Sequence, residues 1–277
     1  MESWRGGWSL RGRRCLQGNG SRRGWWLAWC ALLLPAFCCA GPLLDLPQYP
    51  QIDAAALQRF AARTLAKQEA RARAAGELGC VRHCEMLARA FTRVTSAARE
   101  QGGAAGAVAW QLVVTTTRGE AALSLPGGYI VISEDMVDSL QLSEAEVAFV
   151  IAHEAAHILL QHEAETLDYL QATLLPHQVK RTVWDLYAEL DYDAGALLRL
   201  ESLMQRGELE ADFAGLLLGA QAGYSPQGMR GALQKIAAGD GARSGIVATH
   251  PAMARRLAQL ARVMPIAERL AELAAQR

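Results

Sequence analysis

Two histidines and a glutamate set into an otherwise apolar helical run constrain this chain more than any other feature. The stretch Val150-Ile151-Ala152-His153-Glu154-Ala155-Ala156-His157 follows a strong helix start. Ser143 with Glu146 three residues on forms a capping-box pattern, and Leu142 is placed to staple onto Val147. His153 and His157 are four residues apart, so on a helix their rings project from one face and can grip one ion. Polar groups embedded among Ala, Ile, Val and Leu need a partner, because burying them unpaired is costly. Zinc suits this pair: it accepts neutral imidazole nitrogen at about 2.0–2.1 Å and imposes little geometry of its own. Glu154 sits one residue round, beside such an ion rather than on it, where a base must stand to take a proton from activated water.

A catalytic zinc usually has three protein ligands and one open position. The best source of the third is Gly207-Glu208-Leu209-Glu210-Ala211-Asp212, on a helix expected to open at Ser202 with Gln205 as its capping partner. Glu208 and Asp212 share a face and Glu210 points nearly opposite. One carboxylate can bind the ion while the other accepts the ring N–H of a ligand histidine. Glu208 is assigned as ligand and Asp212 as orienter; the reverse order and Glu210 as ligand are the remaining alternatives. His162, nine residues after His153, falls about 180° round a helix. It cannot reach the same ion unless the helix ends first, so a structural role is expected. His177, after Pro176, is expected at the surface.

The rest of the chain reads as α+β, mainly α-helical, with a small β-sheet beside the H-E-x-x-H helix. Ile52 to Arg99 is alanine-rich with leucines at helical spacing, and Gly102 to Gly106 breaks it. Val108 to Thr117 reads as a strand, and Ala121–Leu125 and Tyr129–Ser133 as two more around Pro126-Gly127-Gly128. Everything after Met136 looks helical. With no repeat and no Pro/Ser-rich linker, residues 41–277 are expected to form a single domain, N-terminal helices over 52–100 and a catalytic core over 105–277. Cys80 and Cys84 are expected to be bridged or buried, with a second metal site involving His83 the lesser alternative. Between Glu163 and Glu201, Tyr169, Trp184, Tyr187 and Tyr192 accompany regular leucines. These read first as core-facing helices and second as a lid over the cleft.

Residues 1–40 are different in kind. They hold six arginines against Glu2 alone, with five of the seven tryptophans and four of the six cysteines. The remainder is therefore net acidic, which argues against a nucleic-acid binder. Arg22 and Arg23 precede an uncharged run from Trp25 to Ala40, about the length of a signal-peptide apolar core. The expectation is a signal peptide or membrane-targeting leader, cleaved after Ala40, and an exported, periplasmic protein. A lipid anchor at Cys38 or Cys39 and an uncleaved membrane anchor are lesser alternatives.

Five ordered motifs then bring a family into view. Leu125-Pro126-Gly127-Gly128-Tyr129-Ile130, His153-Glu154-Ala155-Ala156-His157 with His162, Glu208-Leu209-Glu210-Ala211-Asp212, Ala222-Gly223-Tyr224-Ser225-Pro226, and Thr249-His250-Pro251 with Arg256 run in order through the chain. Together they resemble the HtpX and type-one CAAX-prenyl-protease zinc metallopeptidases, within the gluzincins. Without membrane helices after the leader, the chain looks like the soluble exported BepA-like or LoiP-like branch. The resemblance implies a zincin-like metallopeptidase domain holding one Zn2+ per chain on His153, His157 and Glu208, with Glu154 as general base. It adds His250 and Arg256 as catalytic residues near the oxyanion; Pro251 is expected to open the last helix, with His250 at its mouth. One departure is Glu120-Ala121-Ala122, where the family usually has Asn-Ala before the turn. That segment is expected to form the edge strand along which a substrate peptide pairs, so a charge there bears on substrate preference.

The function implied is a zinc-dependent endopeptidase in which zinc-activated water attacks the peptide bond and Glu154 shuttles the proton. Its partners would be unfolded or misassembled envelope proteins in quality control, and the leader is compatible with a membrane-associated partner. The rival is a zinc-binding, chaperone-like assembly factor whose protease site is mostly self-inhibited, with His250 as fourth zinc ligand excluding water.

Overall fold

The computed structural model of the chain describes residues 52–117, 121–174, 180–239 and 252–276. The leader, Glu120, His177 and Thr249-His250-Pro251 lie outside these residues. Helix α1 (Ala54–Ala74) is capped by Asp53, whose carboxylate accepts the Ala56 N–H at 3.0 Å. It is followed by α2 (Cys84–Glu100) and the short α3 (Gly103–Gly106). Strands β1 (Gln111–Thr115), β2 (Ala122–Leu125) and β3 (Tyr129–Ser133) make a sheet of order β1-β3-β2. β3 runs parallel to β1, pairing Val113 with Val131, and antiparallel to β2, pairing Ser124 with Ile130. The Pro-Gly-Gly turn between β2 and β3 requires glycine at Gly128, where φ is +104° and a Cβ would stand 2.6 Å from the Ala109 carbonyl oxygen.

The remaining elements are helical: α4 (Glu134–Ser139), α5 (Glu144–Leu159), α6 (His162–Tyr169), a π-helical turn at Leu170–Leu174, α7 (Val183–Tyr192), α8 (Ala194–Gln221), α9 (Pro226–Gly239) and α10 (Met253–Ala274). The fold is thus mainly α-helical with one small sheet, as expected. Its centre is α5, which packs against α2, α8, α9 and the edge strand β2 while α10 covers α8 and α9. Val147, Phe149, Ile151, Ala152, Ala155 and Leu159 of α5 are all buried in the main core. Each large apolar side chain of this kind contributes about 1.5–3 kcal/mol on burial. The capping box forms as read, with the Ser143 N–H donating to Glu146 Oε2 at 2.7 Å. The buried Glu146 carboxylate is matched by Lys235 Nζ from α9 at 2.7 Å.

One expectation changes. The helix carrying Glu208 does not open at Ser202. It opens nine residues earlier, where the Asp193 carboxylate accepts the Gly195 N–H at 2.8 Å, and it runs unbroken through Ser202 and Gln205 for 28 residues. Cys80 and Cys84 are joined by a disulfide. The lesser alternative, a metal site, is not the arrangement found: the sulfurs bind each other and the fully buried Glu134 accepts the backbone N–H groups of Val81, Arg82 and His83 at 2.7–2.8 Å. His83 is taken up by Asp138 at 2.6 Å.

The segment between the two ligand helices divides by face. Leu167, Leu170, Val183 and Leu186 are buried in a second core with Ile52 and Leu57, whereas Trp184 and Tyr192 are exposed. Phe60 of α1 stacks on Tyr187 of α7 with ring centroids 3.8 Å apart, so α1 is seated on α7. No described helix is long and apolar enough to cross a membrane.

Candidate metal centre

The i, i+4 spacing on α5 puts the rings of His153 and His157 together, their Nε2 atoms 3.1 Å apart. α8 crosses α5 at this point and brings Glu208 to both. Glu208 Oε2 is 3.5 Å from His153 Nε2, and Oε1 is 3.3 Å from His157 Nε2. Four tetrahedral ligands at zinc bond lengths of about 2.0–2.1 Å set neighbouring donor atoms about 3.3–3.4 Å apart. The contacts between the two imidazoles and the two carboxylate oxygens, 3.1–3.5 Å, fall around that separation, and the three residues form a group that could hold a metal ion. The residues fit the ion.

Behind the donors the polar atoms continue inward. His153 Nδ1 lies 3.1 Å from Asp212 Oδ1, and Asp212 is completely buried. Arg256 of α10 grips that carboxylate with two parallel bonds, Nε to Oδ2 and Nη2 to Oδ1, both 2.7 Å. Its third nitrogen, Nη1, is 3.4 Å from Glu208 Oε2. Asp212 thus lies between the His153 ring and the Arg256 guanidinium. The guanidinium of Arg256, expected near the oxyanion, lies beside the donor cluster, against Asp212 and Glu208.

The electrostatics follow from this wiring. Burial opposes charge on His153, but the Asp212 and Glu208 carboxylates outweigh it and push its pKa up to about 10. The same negative field that retains a proton there would retain a dication in its place. Burial would raise Asp212, yet Arg256 and His153 hold it below the usual carboxylate range. His157 is lowered, mainly by burial, which keeps its ring neutral and ready to donate a lone pair. Glu154 adds negative charge felt by both His157 and Arg256, and it is not one of the three clustered donors.

A cleft of about 800 Å³ opens onto His157 and Glu208, walled by Leu57 and Gln58 of α1, Val108, Leu125 and Tyr129 around the Pro-Gly-Gly turn, and Met204 of α8. β2 is the edge strand beside this cleft, and Ser124 and Leu125 line it.

Not everything here was read from the sequence. Glu210, weighed as a ligand, points away from the donor cluster to His162, with 3.4 Å between Oε2 and Nε2. His162 touches His157 rather than the ion position. Gly215, unremarked in the sequence, lies where α8 meets the His153 backbone. The helix break that re-aims His162 carries no glycine or proline to announce it.

Two imidazoles paired with a carboxylate over an open cleft are the kind of centre a metallopeptidase uses, and comparison with known proteins gives it a family. Residues 85–264 match the model of peptidase family M48, and the chain belongs to that family. Three relatives are mitochondrial metalloendopeptidases named OMA1. The one from Schizosaccharomyces pombe is 28% identical over 165 residues, 57% of this chain and 48% of the relative. That from Arabidopsis thaliana is 30% identical over 168 residues (59% and 33%), and that from Saccharomyces cerevisiae 29% over 174 residues (60% and 50%). The chain thus spans half or less of the length of these relatives. The expected periplasmic location is corrected by this finding: the relatives are mitochondrial, and nothing in the comparison supports a signal peptide.

Proposed function

We propose that this chain is a zinc-dependent endopeptidase, residues 41–277 acting as a single metallopeptidase domain. The observation that carries the reading is the clustering of His153, His157 and Glu208, with contacts of 3.1–3.5 Å, beside an open cleft. Membership of peptidase family M48 and likeness to three metalloendopeptidases support it. Zinc held by these three residues supplies a Lewis acid that polarises a peptide carbonyl and makes water nucleophilic near neutral pH. Glu154 takes the proton from the attacking water and delivers it to the leaving amine. Asp212 holds the His153 ring, and Arg256 holds Asp212, so Arg256 is a positioning residue. The oxyanion role then falls to His250, as the resemblance to HtpX-type peptidases suggests.

The substrate is an extended segment of an unfolded or misassembled protein, laid along the free edge of β2. Edge strands recognise extended peptides through main-chain hydrogen bonds. The wall that α1 gives the cleft through Leu57 and Gln58 supports a preference for flexible chains over folded ones.

The test is casein degradation with zinc analysis for wild type and Glu154→Gln. The variant should keep its zinc and lose cleavage. A Gln variant that cleaves at the wild-type rate would end this reading.

A further inference from the structure

Helix α5 stops at Leu159, and Gln161 turns the chain through a left-handed conformation (φ 56°) before α6 begins at His162. That break swings the His162 ring back onto His157. Their Nδ1 atoms are 2.9 Å apart, with the rings edge-on at 80°. The other nitrogen of His162 faces Glu210 Oε2 at 3.4 Å, and Arg206 Nη1 lies 3.9 Å from that carboxylate's second oxygen. His162 is buried, and Gly207 of α8 packs against its ring, where a Cβ would stand 3.4 Å from Cγ and Nδ1.

Tautomers settle what this contact can do. A neutral imidazole carries one proton, and the other nitrogen is an acceptor. For His157 to offer Nε2 to a metal, its proton must sit on Nδ1. Across 2.9 Å that proton is donated to His162 Nδ1, so the His162 proton must sit on Nε2, facing Glu210. The opposite sense, with His162 donating from Nδ1, would place the His157 proton on Nε2 and close that atom to a metal.

We propose that His162, backed by Glu210, is a positioning residue that fixes His157 in its zinc-ligating tautomer. It forms a second orienting chain, separate from the Asp212–Arg256 chain behind His153. The proposal rests on the zinc reading above. Groups that orient metal-bound histidines in this way typically change metal affinity by about 10–100-fold.

The experiment is chelator competition for zinc on the full chain, with two variants of His162. His162→Phe keeps a ring and removes the acceptor, so zinc affinity should fall by about 10–100-fold. His162→Asn sets an amide oxygen near the Nδ1 position and should recover most of the loss. Nitrogen NMR of zinc-loaded Glu154→Gln, which needs no change at His162, should show protons on His157 Nδ1 and His162 Nε2. Wild-type zinc affinity in His162→Phe, or a proton on His162 Nδ1, would overturn the proposal and leave the zinc reading intact. A wild-type chain that takes up no zinc would overturn both.

Discussion

Gly215 of α8 lies against the backbone of His153 on α5, so closely that a Cβ there would stand 2.9 Å from the His153 amide nitrogen and 3.0 Å from its Cα. The contact sets the distance between the two ligand helices, since Glu208 and Asp212 lie on the turns of α8 just before it. Gly215→Ala must push backbone away from backbone, and overpacking of this kind costs about 1–3 kcal/mol. The same displacement draws Glu208 and Asp212 off His153. Urea unfolding should show the stability loss, and chelator competition should show weaker zinc binding; an unchanged affinity would mean that the helices do not set the site.

Arg256 and Asp212 form a buried, two-pronged ion pair. Removing one partner of such a pair leaves an uncompensated charge and costs about 3–5 kcal/mol. Arg256→Met should therefore destabilise the chain by that amount. Arg256→Lys keeps the charge but not the fork, and should fall between the two. If Arg256 instead served the oxyanion directly, Lys would leave unfolding free energy unchanged and depress kcat alone.

The loop from Cys80 to His83 is held twice, by the disulfide to Cys84 and by Glu134. Closing so short a loop contributes about 2 kcal/mol in the chain-entropy model. Burial would raise the Glu134 carboxyl, but the N–H groups of His83, Arg82 and Val81 outweigh it and hold its pKa below the usual glutamate range. A depressed carboxylate contributes stability that is fully present above its unfolded pKa, near about 4.3, and is lost as pH falls through its lower folded value. Hydrogen bonds to a charged group are worth about 1.5–3 kcal/mol each, so Glu134→Gln should cost at least that at pH 7. The gap between variant and wild type should stay flat above about pH 5 and narrow in acid. A gap that widened in acid would contradict this account.

His250→Ala separates the two functional readings. As oxyanion donor, His250 contributes only to the reaction, so its removal should lower kcat by about 100–1000-fold while zinc content stays at wild type. A rise in proteolysis would favour the self-inhibited site instead.

How much of this could be read beforehand follows from where each signal resides. The ligand helix was legible because Ser143, Glu146, His153 and His157 form a local pattern at fixed helical offsets. The sheet was legible because Val108 to Thr117 and Tyr129 to Ser133 are rich in β-branched residues and a Pro-Gly-Gly turn that only glycine can close precedes the latter. Glu208 and Asp212 were found by their shared face. The start of α8 was missed because Ser202 satisfies the capping pattern as well as Asp193 does, and only the packing of Ala196 and Leu200 extends the helix past it. His162 escaped because Gln161 adopts a positive φ without a glycine, so nothing local marks the break. Glu210 was judged against Glu208 on its own helix, whereas its partner comes from α6. Location was misread because an arginine-flanked apolar leader has the same composition whatever compartment it addresses.

Zinc content of the purified chain, prepared without chelators, tests the central claim most directly. The account expects one zinc per wild-type chain and almost none in Glu208→Ala, with the Glu154→Gln protein still fully loaded. A metal-free wild type, or Glu208→Ala retaining a full equivalent, would contradict it.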